Sequence, residues 1–498
     1  MACTTVLVGK NASYDGSTMI ARNDDNPTGT FSVKKVQICE RNKMSKVYKS
    51  KISHVEIPLP DNSYRFSYTP SVKGDSGIWG ASGINEYNVS MTATETITAN
   101  YLVLATDPYV IYDKKTNTAG GIGEEDILML VLPYIKNARE GVLRLGKLLE
   151  NYGTYEPNGI AFADENEVWY LETIGGHHYI ARRLKDDEIA ILPNQLSIDY
   201  FDFDKASIDD ALTNKDKEFI ASNDILNFIK MLHIRDIKNP KIMFGTHSDS
   251  DHEYNTARAW IGYRCLNCKF STTSSRSNQT AIYDGENANI KPTSDDIPFS
   301  MIPSHKLTIE DVKYILSNHY QGTIYDPYYK YKEEQRLLFR PIGISRTAFM
   351  SVLQIRGYIQ NDKIKSINWL SFSCNVFNTL LPFYTNVDSL PKYISNTSEK
   401  VDTNYFYWQS RIISALVDAH FNTGIMIIER YQNKTLASSL YLINKYDKLY
   451  IKTNDDNVIK EANDKISDMV HAETDSCLDK VLYNASMHMK NGFSRNDN

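Results

Sequence analysis

The chain has 498 residues, of which 42% are hydrophobic and 23% charged, and its formal net charge is −6 at pH 7. These proportions are typical of a folded protein with a sizeable core and exclude a disordered chain. Neutralising phosphates needs clustered Lys and Arg, which this chain does not show, so its composition argues against a nucleic-acid partner. The longest apolar stretch, residues 127–132, is too short to cross a bilayer, and we expect no membrane partner.

The length and the cysteine content indicate how many domains the chain has and in which compartment it folds. The length suggests roughly three domains, but no Pro/Gly/Ser-rich linker or repeat divides the sequence, which favours one large domain with a more helical C-terminal portion. The six cysteines are scattered and form no disulfide framework, as expected in a reducing compartment. Thr4, Thr5 and Lys10 interrupt the opening before it could serve as a secretory apolar segment. We therefore expect a cytoplasmic protein, and the oligomeric state stays open, a homo-oligomer included.

The first predicted element is a β-hairpin at the very start of the chain. Residues 4–9 and 17–21 have strand character, and residues 11–16 between them read as the connection. A short antiparallel hairpin places the end of its second strand opposite the start of its first. The pairing therefore brings Arg22, Asn23 and Asp25 beside Cys3.

Cys3 carries the chemistry of this hairpin. If Met1 and Ala2 are removed, the residue has a thiol with a pKa near ~8.5 and a free α-amine with a pKa near ~7.7 to 8.0. One group can then deprotonate the other around neutral pH, so a nucleophile and a base sit on one residue. A neighbouring guanidinium would stabilise the thiolate, and a carboxylate would hold the α-ammonium. The competing interpretation is an ordinary buried strand cysteine.

The remaining elements alternate between strand-rich and helical stretches. Such an order is typical of a layered α+β architecture. The predicted strands cover residues 33–41, 55–59, 65–68, 78–94, 160–163, 168–182, 352–359 and 366–376. The predicted helices cover residues 124–136, 140–152, 308–320, 405–421 and 458–490.

Several blocks of the sequence form an ordered set: residues 3–10, 15–22, 77–81, 91–96, 123–126, 169–178, 258–260, 339–344 and 381–387. Together they resemble the dipeptidase A family of N-terminal-nucleophile cysteine peptidases from lactic acid and related bacteria. This family is related to the secernins and to the bile salt hydrolase and penicillin V acylase group. The resemblance implies a four-layer αββα fold in which two stacked antiparallel sheets are flanked by helices. It also implies a leader at residues 1–2, a hydrolase domain over 3–400, and a helical C-terminal portion, 401–498, packed on that domain.

The resemblance further implies a catalytic set. Cys3 would hydrolyse dipeptides of broad specificity through a thioester, with neither metal nor organic cofactor. Arg22 and Asp25 would flank the nucleophile, with Arg22 lowering the thiol pKa and Asp25 positioning the amine. Asn194 would donate its side-chain amide to the developing oxyanion.

Other site residues follow from the resemblance or from charge. Arg258 would be the second active-site arginine, with Arg264 as a rival in the same segment. Glu95 falls where the related acylases place an asparagine. A dipeptidase must sense both substrate termini, so we expect Arg258 at the carboxylate and Glu95 or Glu172 at the ammonium group. His177 is a further candidate for substrate contact, and its neighbour His178 should point to the opposite face of a strand.

Two other functions compete with this interpretation. An acylase acting on bile salts or penicillin V would use the same apparatus with a different pocket. A non-catalytic, secernin-like regulatory protein would not need Cys3, Arg22, Asp25 and Asn194 together. The pair Cys265 and Cys268 has the spacing of half a zinc site, but no second Cys/His pair accompanies it, so we expect two incidental thiols.

Overall fold

The computed structural model describes residues 3–75, 77–95, 97–234, 239–270, 290–329 and 333–490. The side chains of residues 93–95 and 333 lie outside that description. Within the described ranges, no helix is long and apolar enough to span a lipid bilayer.

Most strands assemble into two large sheets. The strands are β1 (Thr4–Val8), β2 (Thr18–Asp25), β3 (Gln37–Cys39), β4 (Val47–Lys49), β5 (Glu56–Pro58), β6 (Phe66–Tyr68), β7 (Ser82–Asn85), β8 (Ser90–Glu95), β9 (Asn158–Ala163), β10 (Val168–Ile174), β11 (His178–Leu184), β12 (Ile189–Leu192), β13 (Phe219–Ala221), β14 (Lys269–Phe270), β15 (Ser300–Ile302), β16 (Thr347–Ile355), β17 (Ser366–Phe372) and β18 (Leu381–Tyr384). The first sheet has the order β14-β15-β12-β1-β2-β16-β17-β18, and the second has the order β13-β11-β10-β9-β8-β7-β6-β3. Neighbouring strands in both sheets are antiparallel.

The helices lie mainly on the outer faces of the sheets. They are α1 (Tyr101–Thr106), α2 (Glu124–Val131), α3 (Ala138–Tyr152), α4 (Ile225–Met231), α5 (Pro240–Phe244), α6 (Asp249–Asp251), α7 (Ala257–Cys265), α8 (Ile309–Leu316), α9 (Glu333–Arg336), α10 (Lys392–Ser395), α11 (Phe406–Ala419), α12 (Phe421–Thr453) and α13 (Asp456–Met487). Short 3-10 helices cover Leu132–Tyr134 and Phe203–Lys205, and a π-helical turn covers His252–Thr256. Helices α7, α8, α11 and α13 pack on the first sheet, and α2 and α3 pack on the second.

Strand alternation explains the four layers. Leu7 and Ile20 of the first sheet belong to one buried cluster with Tyr170 and Ile180 of the second sheet. Val6, whose side chain points the other way, belongs to the cluster beneath α7 and α8. Because both faces of these central strands are covered, every residue of β1 and β2 is buried. The predicted αββα order and the N-terminal hairpin are therefore confirmed.

Some predicted boundaries change in the structure. The predicted helix over 124–136 ends as an α-helix at Val131, because Pro133 lies in the 3-10 turn that follows. The predicted strand over 168–182 is two strands, broken by a turn at Gly175, whose φ is +77°. Helix α12 lies within the portion 401–498 that was expected to be helical, but it was not predicted as a separate helix.

The C-terminal helices are held to the first sheet by a buried ion pair. Arg356, next after β16, donates two hydrogen bonds to Asp447 of α12, at 2.6 and 3.1 Å. The Tyr384 hydroxyl donates to the same carboxylate at 2.7 Å. The Arg356 and Asp447 side chains are only 4% and 11% exposed, so the loss of one charge leaves the other without compensation.

We expect Asp447→Ala to lower the free energy of unfolding by about 3 to 5 kcal/mol, since it leaves a buried guanidinium unpaired. Chemical denaturation measures this change. The matched control is Lys363→Ala, which removes an exposed pair with Asp456 and should cost about 1 kcal/mol or less. Equal destabilisation by the two variants would contradict the role of the buried pair.

Candidate active site

Cys3 lies immediately before β1 and is fully buried. Thr4 pairs with Asn23, so the adjacent β2 places its last residues beside Cys3. Arg22 Nη2 donates a hydrogen bond to Cys3 Sγ at 2.7 Å, and the thiol lies 3.9 Å from Asp24 Oδ1. The predicted contact between Arg22 and Cys3 is present.

Successive side chains of β2 point to opposite faces of the first sheet, so its polar residues lie on two different faces. Arg22 and Asp24 point between the sheets, where Arg22 Nη1 also donates to the carbonyl of Ala81. Asn23 and Asp25 point the other way, and Asn23 donates to backbone carbonyls of residues 316 and 342. The carboxylate near the Cys3 sulfur is thus that of Asp24.

Asp25 makes its contacts on the opposite face. Its carboxylate accepts hydrogen bonds from Arg340 Nη2 and from Thr347 Oγ1. The sequence analysis placed Asp25 beside Cys3 because a hairpin end brings the whole run Arg-Asn-Asp-Asp nearby. The two-residue period of the strand turns Arg22 and Asp24, not Asp25, toward the Cys3 sulfur. The predicted role of Asp25 concerns the Cys3 amine and stays a prediction.

Two further charged side chains complete what we call the Cys3 cluster, defined as Cys3, Arg22, Asp24, Lys34 and Glu124. Arg22 Nη2 donates to Glu124 Oε1 at 2.8 Å and lies 3.4 Å from Asp24 Oδ1. Lys34 Nζ lies 2.9 Å from Asp24 Oδ2. The four charged side chains are at most 1% exposed, so each charge depends on its neighbours for compensation.

Burial controls the protonation of the thiol. It raises the pKa of Cys3 to about 11, and the favourable charge of Arg22 offsets only part of that effect. The Cys3 thiolate, Glu124 and Asp24 together raise the pKa of Arg22 despite its burial. The expectation that Arg22 lowers the thiol pKa thus has the right sign, but desolvation outweighs it in this structure.

The same cluster also has the composition of a metal site. One ligand atom each from Cys3, Asp24 and Glu124 lies within 4.8 Å of the others. However, Arg22 Nη2 contacts all three of these residues. A guanidinium therefore occupies the place where a cation would bind, and these residues do not fit a metal ion.

Arg258 of α7, rather than Arg264, contacts Cys3, through its backbone carbonyl. Arg264 lies over the ring of Trp260 at the end of the same helix. Arg258 is fully buried, and burial next to Arg340 lowers its pKa to about 9. All five of its N–H groups have protein acceptors. These are the carbonyls of Cys3 and Tyr254, the Thr4 hydroxyl, and the side-chain oxygens of Asn194 and Asn255.

One guanidinium therefore connects Cys3 to Asn194. Asn194 follows β12, the other neighbour of β1, and accepts from Arg258 Nη2 through Oδ1 at 2.9 Å. This bond uses the oxygen of the amide, so Nδ2, the donor that an oxyanion needs, is the atom that does not contact Arg258.

Glu172 supports the segment that follows Asn194. Its carboxylate accepts from the backbone N–H groups of Ser197 at 2.6 Å and Ile198 at 3.4 Å. Glu172 is fully buried, and desolvation raises its pKa to about 8. Its position is that of a structural support for this loop, whereas the sequence analysis expected an ammonium-binding group.

The other two predicted substrate-binding residues are His177, which contacts Asp107, and Glu95, whose side chain lies outside the described residues. The Nδ1 atoms of His177 and His178 lie 2.9 and 2.7 Å from the carboxylate of Asp107. The prediction that these two rings point to opposite faces is wrong, because His177 belongs to the turn after Gly175 and precedes β11. The Glu95 side chain lies outside the described residues.

The sequence analysis missed Asp24, Lys34, Glu124 and Arg340. The alternation of β2 would have identified Asp24. Glu124 and Arg340 lie in the family-like blocks 123–126 and 339–344 but were given no role there. Lys34 had no signal in the sequence, because only the tertiary fold brings it to β2.

We expect Glu172→Gln to become more stable relative to the wild type as pH rises from 5 to 9. Folding raises this pKa from its ordinary value of 4.5 to about 8. The native state therefore favours the neutral acid, and that contribution is full below pH ~4.5 and lost as pH rises through ~8. Thermal unfolding across this range measures a relative change of a few kcal/mol. A stability difference independent of pH would contradict this assignment.

Comparisons with known proteins agree with a peptidase. The description "Peptidase family C69" matches residues 2–434. The chain is 43% identical over 550 residues to "Dipeptidase" of Bifidobacterium longum, covering 100% of both sequences. It is 42% identical over 505 residues to "Probable dipeptidase A" of Streptococcus pyogenes serotype M3, again over 100% of both.

Two solved structures are also similar. A penicillin V acylase from Agrobacterium tumefaciens is 12% identical, with 81% of this chain and 92% of that chain covered and a TM-score of 0.35. A variant of conjugated bile acid hydrolase from Clostridium perfringens is 12% identical, with 78% and 99% covered and a TM-score of 0.32. The extent of the family match and the identity of the full-length relatives decide the assignment. The chain belongs to peptidase family C69.

Proposed function

We propose that this protein hydrolyses dipeptides with Cys3 as its nucleophile. The observation that carries the proposal is the Cys3 sulfur held 2.7 Å from Arg22 within a buried cluster of charges. The names of the full-length relatives supply the substrate class. The six free cysteines support the further proposal that the protein acts in the cytoplasm.

Maturation would convert Cys3 into a complete catalytic unit. While residues 1–2 are attached, the nitrogen of Cys3 is an amide and accepts no proton, and the thiol pKa of about 11 keeps the sulfur protonated at neutral pH. Removal of the leader gives an α-amine that can take the thiol proton. We propose that Cys3 cleaves the preceding bond itself, with the same oxyanion donors. The sulfur attacks the carbonyl carbon of residue 2, the C–N bond to Cys3 breaks as the Cys3 nitrogen takes up the thiol proton, and water hydrolyses the resulting thioester to release residues 1–2 and restore the thiol.

Hydrolysis would then proceed in two steps. The Cys3 thiolate attacks the scissile carbonyl carbon, and Asn194 Nδ2 and nearby backbone N–H groups bind the oxyanion. The α-ammonium of Cys3 protonates the leaving amine as the C–N bond breaks, which leaves a thioester. Water, deprotonated by the α-amine, attacks the thioester and releases the acid and the thiol.

The remaining site residues would act by positioning. Arg22 would hold the sulfur, and Asp24, whose Oδ1 lies 3.9 Å from that sulfur, would hold the α-ammonium group of Cys3. Asp25 anchors Arg340 on the opposite face of β2. All five N–H groups of Arg258 donate to protein oxygens, so none remains for a substrate carboxylate. Its proposed role is to fix the position of Cys3 relative to Asn194. Residues 3–400 would form the hydrolase domain, with 401–498 as its helical C-terminal portion.

We expect Cys3→Ser to lower dipeptide hydrolysis by at least ~10³-fold, because an alcohol is a far weaker nucleophile near neutral pH. Release of product from a panel of unblocked dipeptides measures the loss, with N-acyl amides of the bile salt and penicillin V type as comparison substrates. The control is Cys39→Ser, whose half-buried thiol lies on β3 and should leave activity unchanged.

Intact mass and N-terminal sequencing complete this test. Active wild-type protein should begin at Cys3, and Cys3→Ser should retain or slowly lose residue 2. Full activity of protein that still bears Ala2 would contradict the proposed mechanism. Preferential cleavage of the N-acyl amides would instead indicate the acylase function.

A further inference from the structure

Three consecutive acids begin α2, and one of them stands out by its contacts. Glu125 accepts hydrogen bonds from Ser50 Oγ and the Tyr155 hydroxyl. Asp126 accepts from the Tyr48 hydroxyl and the Gly123 backbone N–H. Glu124 alone of the three faces the Cys3 cluster, and the mechanism above does not use it.

One oxygen of Glu124 has no hydrogen-bond partner. Oε1 accepts from Arg22, whereas Oε2 is buried and unpaired among the described residues. The Glu124 side chain is 0% exposed. Asp24 Oδ2 likewise accepts no hydrogen bond among the described residues, but Lys34 Nζ lies 2.9 Å from it, and Arg22 Nη2 lies 3.4 Å from Oδ1. An unpaired buried carboxylate oxygen costs about 1 to 3 kcal/mol or more, so a partner is expected when the site is in use.

The geometry of a dipeptide brings such a partner to this place. In a reactive complex the scissile carbonyl carbon lies ~3 to 3.5 Å from the attacking sulfur. The α-nitrogen of the first residue is two bonds further, ~2.5 Å from that carbon. The α-ammonium group of a bound dipeptide must therefore lie within ~6 Å of Cys3 Sγ. A carboxylate oxygen of Glu124 lies within 4.8 Å of that sulfur.

The charges around Glu124 favour a cation as the missing partner. Arg22 and Lys34 balance Asp24 and Glu124 within the Cys3 cluster. Beyond it, Glu156 accepts the backbone N–H of Glu124 at 2.9 Å. Burial, followed by repulsion from Glu124, raises the pKa of Glu156. An arriving ammonium ion would relieve this excess of acids, whereas a blocked, neutral amino terminus would not.

We infer that Glu124 binds the free α-ammonium group of the dipeptide's first residue and thereby selects substrates with an unblocked amino terminus. This inference rests on the proposed dipeptidase function. It assigns to Glu124 the role for which the sequence analysis named Glu95 or Glu172.

The test compares two substrates that differ in this group alone, alanyl-alanine and propionyl-alanine. We expect the wild type to favour alanyl-alanine by at least 100-fold in kcat/KM. Glu124→Gln keeps the size of the side chain and an acceptor for Arg22 but loses the charge. It should reduce this preference at least tenfold, mainly through a higher KM for alanyl-alanine.

The matched control is Glu125→Gln, which makes the same substitution at the neighbouring acid of this helix turn, where the side chain contacts Tyr155 and Ser50. This variant should keep the wild-type preference within twofold. If Glu124→Gln fails to mature, as intact mass would reveal, Glu124→Asp replaces it. That variant shortens the acid and should reduce the preference at least threefold.

Several outcomes would overturn the inference. An equal loss on both substrates in the Glu124 variant would show that the carboxylate serves Arg22 or the Cys3 amine. An unchanged preference in the Glu124 variant, or no preference in the wild type, would also refute ammonium binding while leaving the dipeptidase function intact. Failure of the wild type to cleave any dipeptide would instead refute the proposed function, and the inference with it.

Discussion

The contact between Arg22 and the Cys3 sulfur is the interaction on which the rest of the site depends. The guanidinium is fully buried and serves Cys3, Asp24 and Glu124 at once. A buried charge is tolerated only with compensating partners, and the removal of one partner leaves the others costly. The register of β1 with β2, the start of α2 and the position of Lys34 must therefore all be correct together. The position of the Cys3 sulfur and the stability of the core therefore depend on the same contacts.

The site uses both faces of the first sheet. The face between the sheets carries the Cys3 cluster, which sets the charge around the sulfur. The outer face carries Arg258, which fixes Cys3 to the loop of Asn194, and Asp25, which holds Arg340. Since Arg258 donates to both the Cys3 carbonyl and Asn194 Oδ1, it fixes the distance between Cys3 and the proposed oxyanion loop. Glu172 supports the same loop from the second sheet.

The acids of the site have different contacts and different proposed roles. Asp24 has a cation near each oxygen and lies 3.9 Å from the Cys3 sulfur. One oxygen of Glu124 accepts no hydrogen bond among the described residues, so it can accept one from a positively charged ligand. Glu125 and Asp126 are satisfied by hydroxyl and backbone donors and belong to the framework. A row of three acids in the sequence therefore contains one candidate for substrate binding and two structural residues.

The sequence by itself determined the layered fold, the N-terminal hairpin and the meeting of Cys3 with Arg22, because strand alternation and short-range pairing are local properties. It did not reveal α12, since small or polar residues such as Gly424, Thr435 and Ser439 fill part of its buried stripe and hide the apolar period. Only the tertiary structure selected Arg258 over Arg264 and brought Glu124 to Arg22. These contacts join residues more than a hundred positions apart, and their geometry depends on how the two sheets and their helices pack.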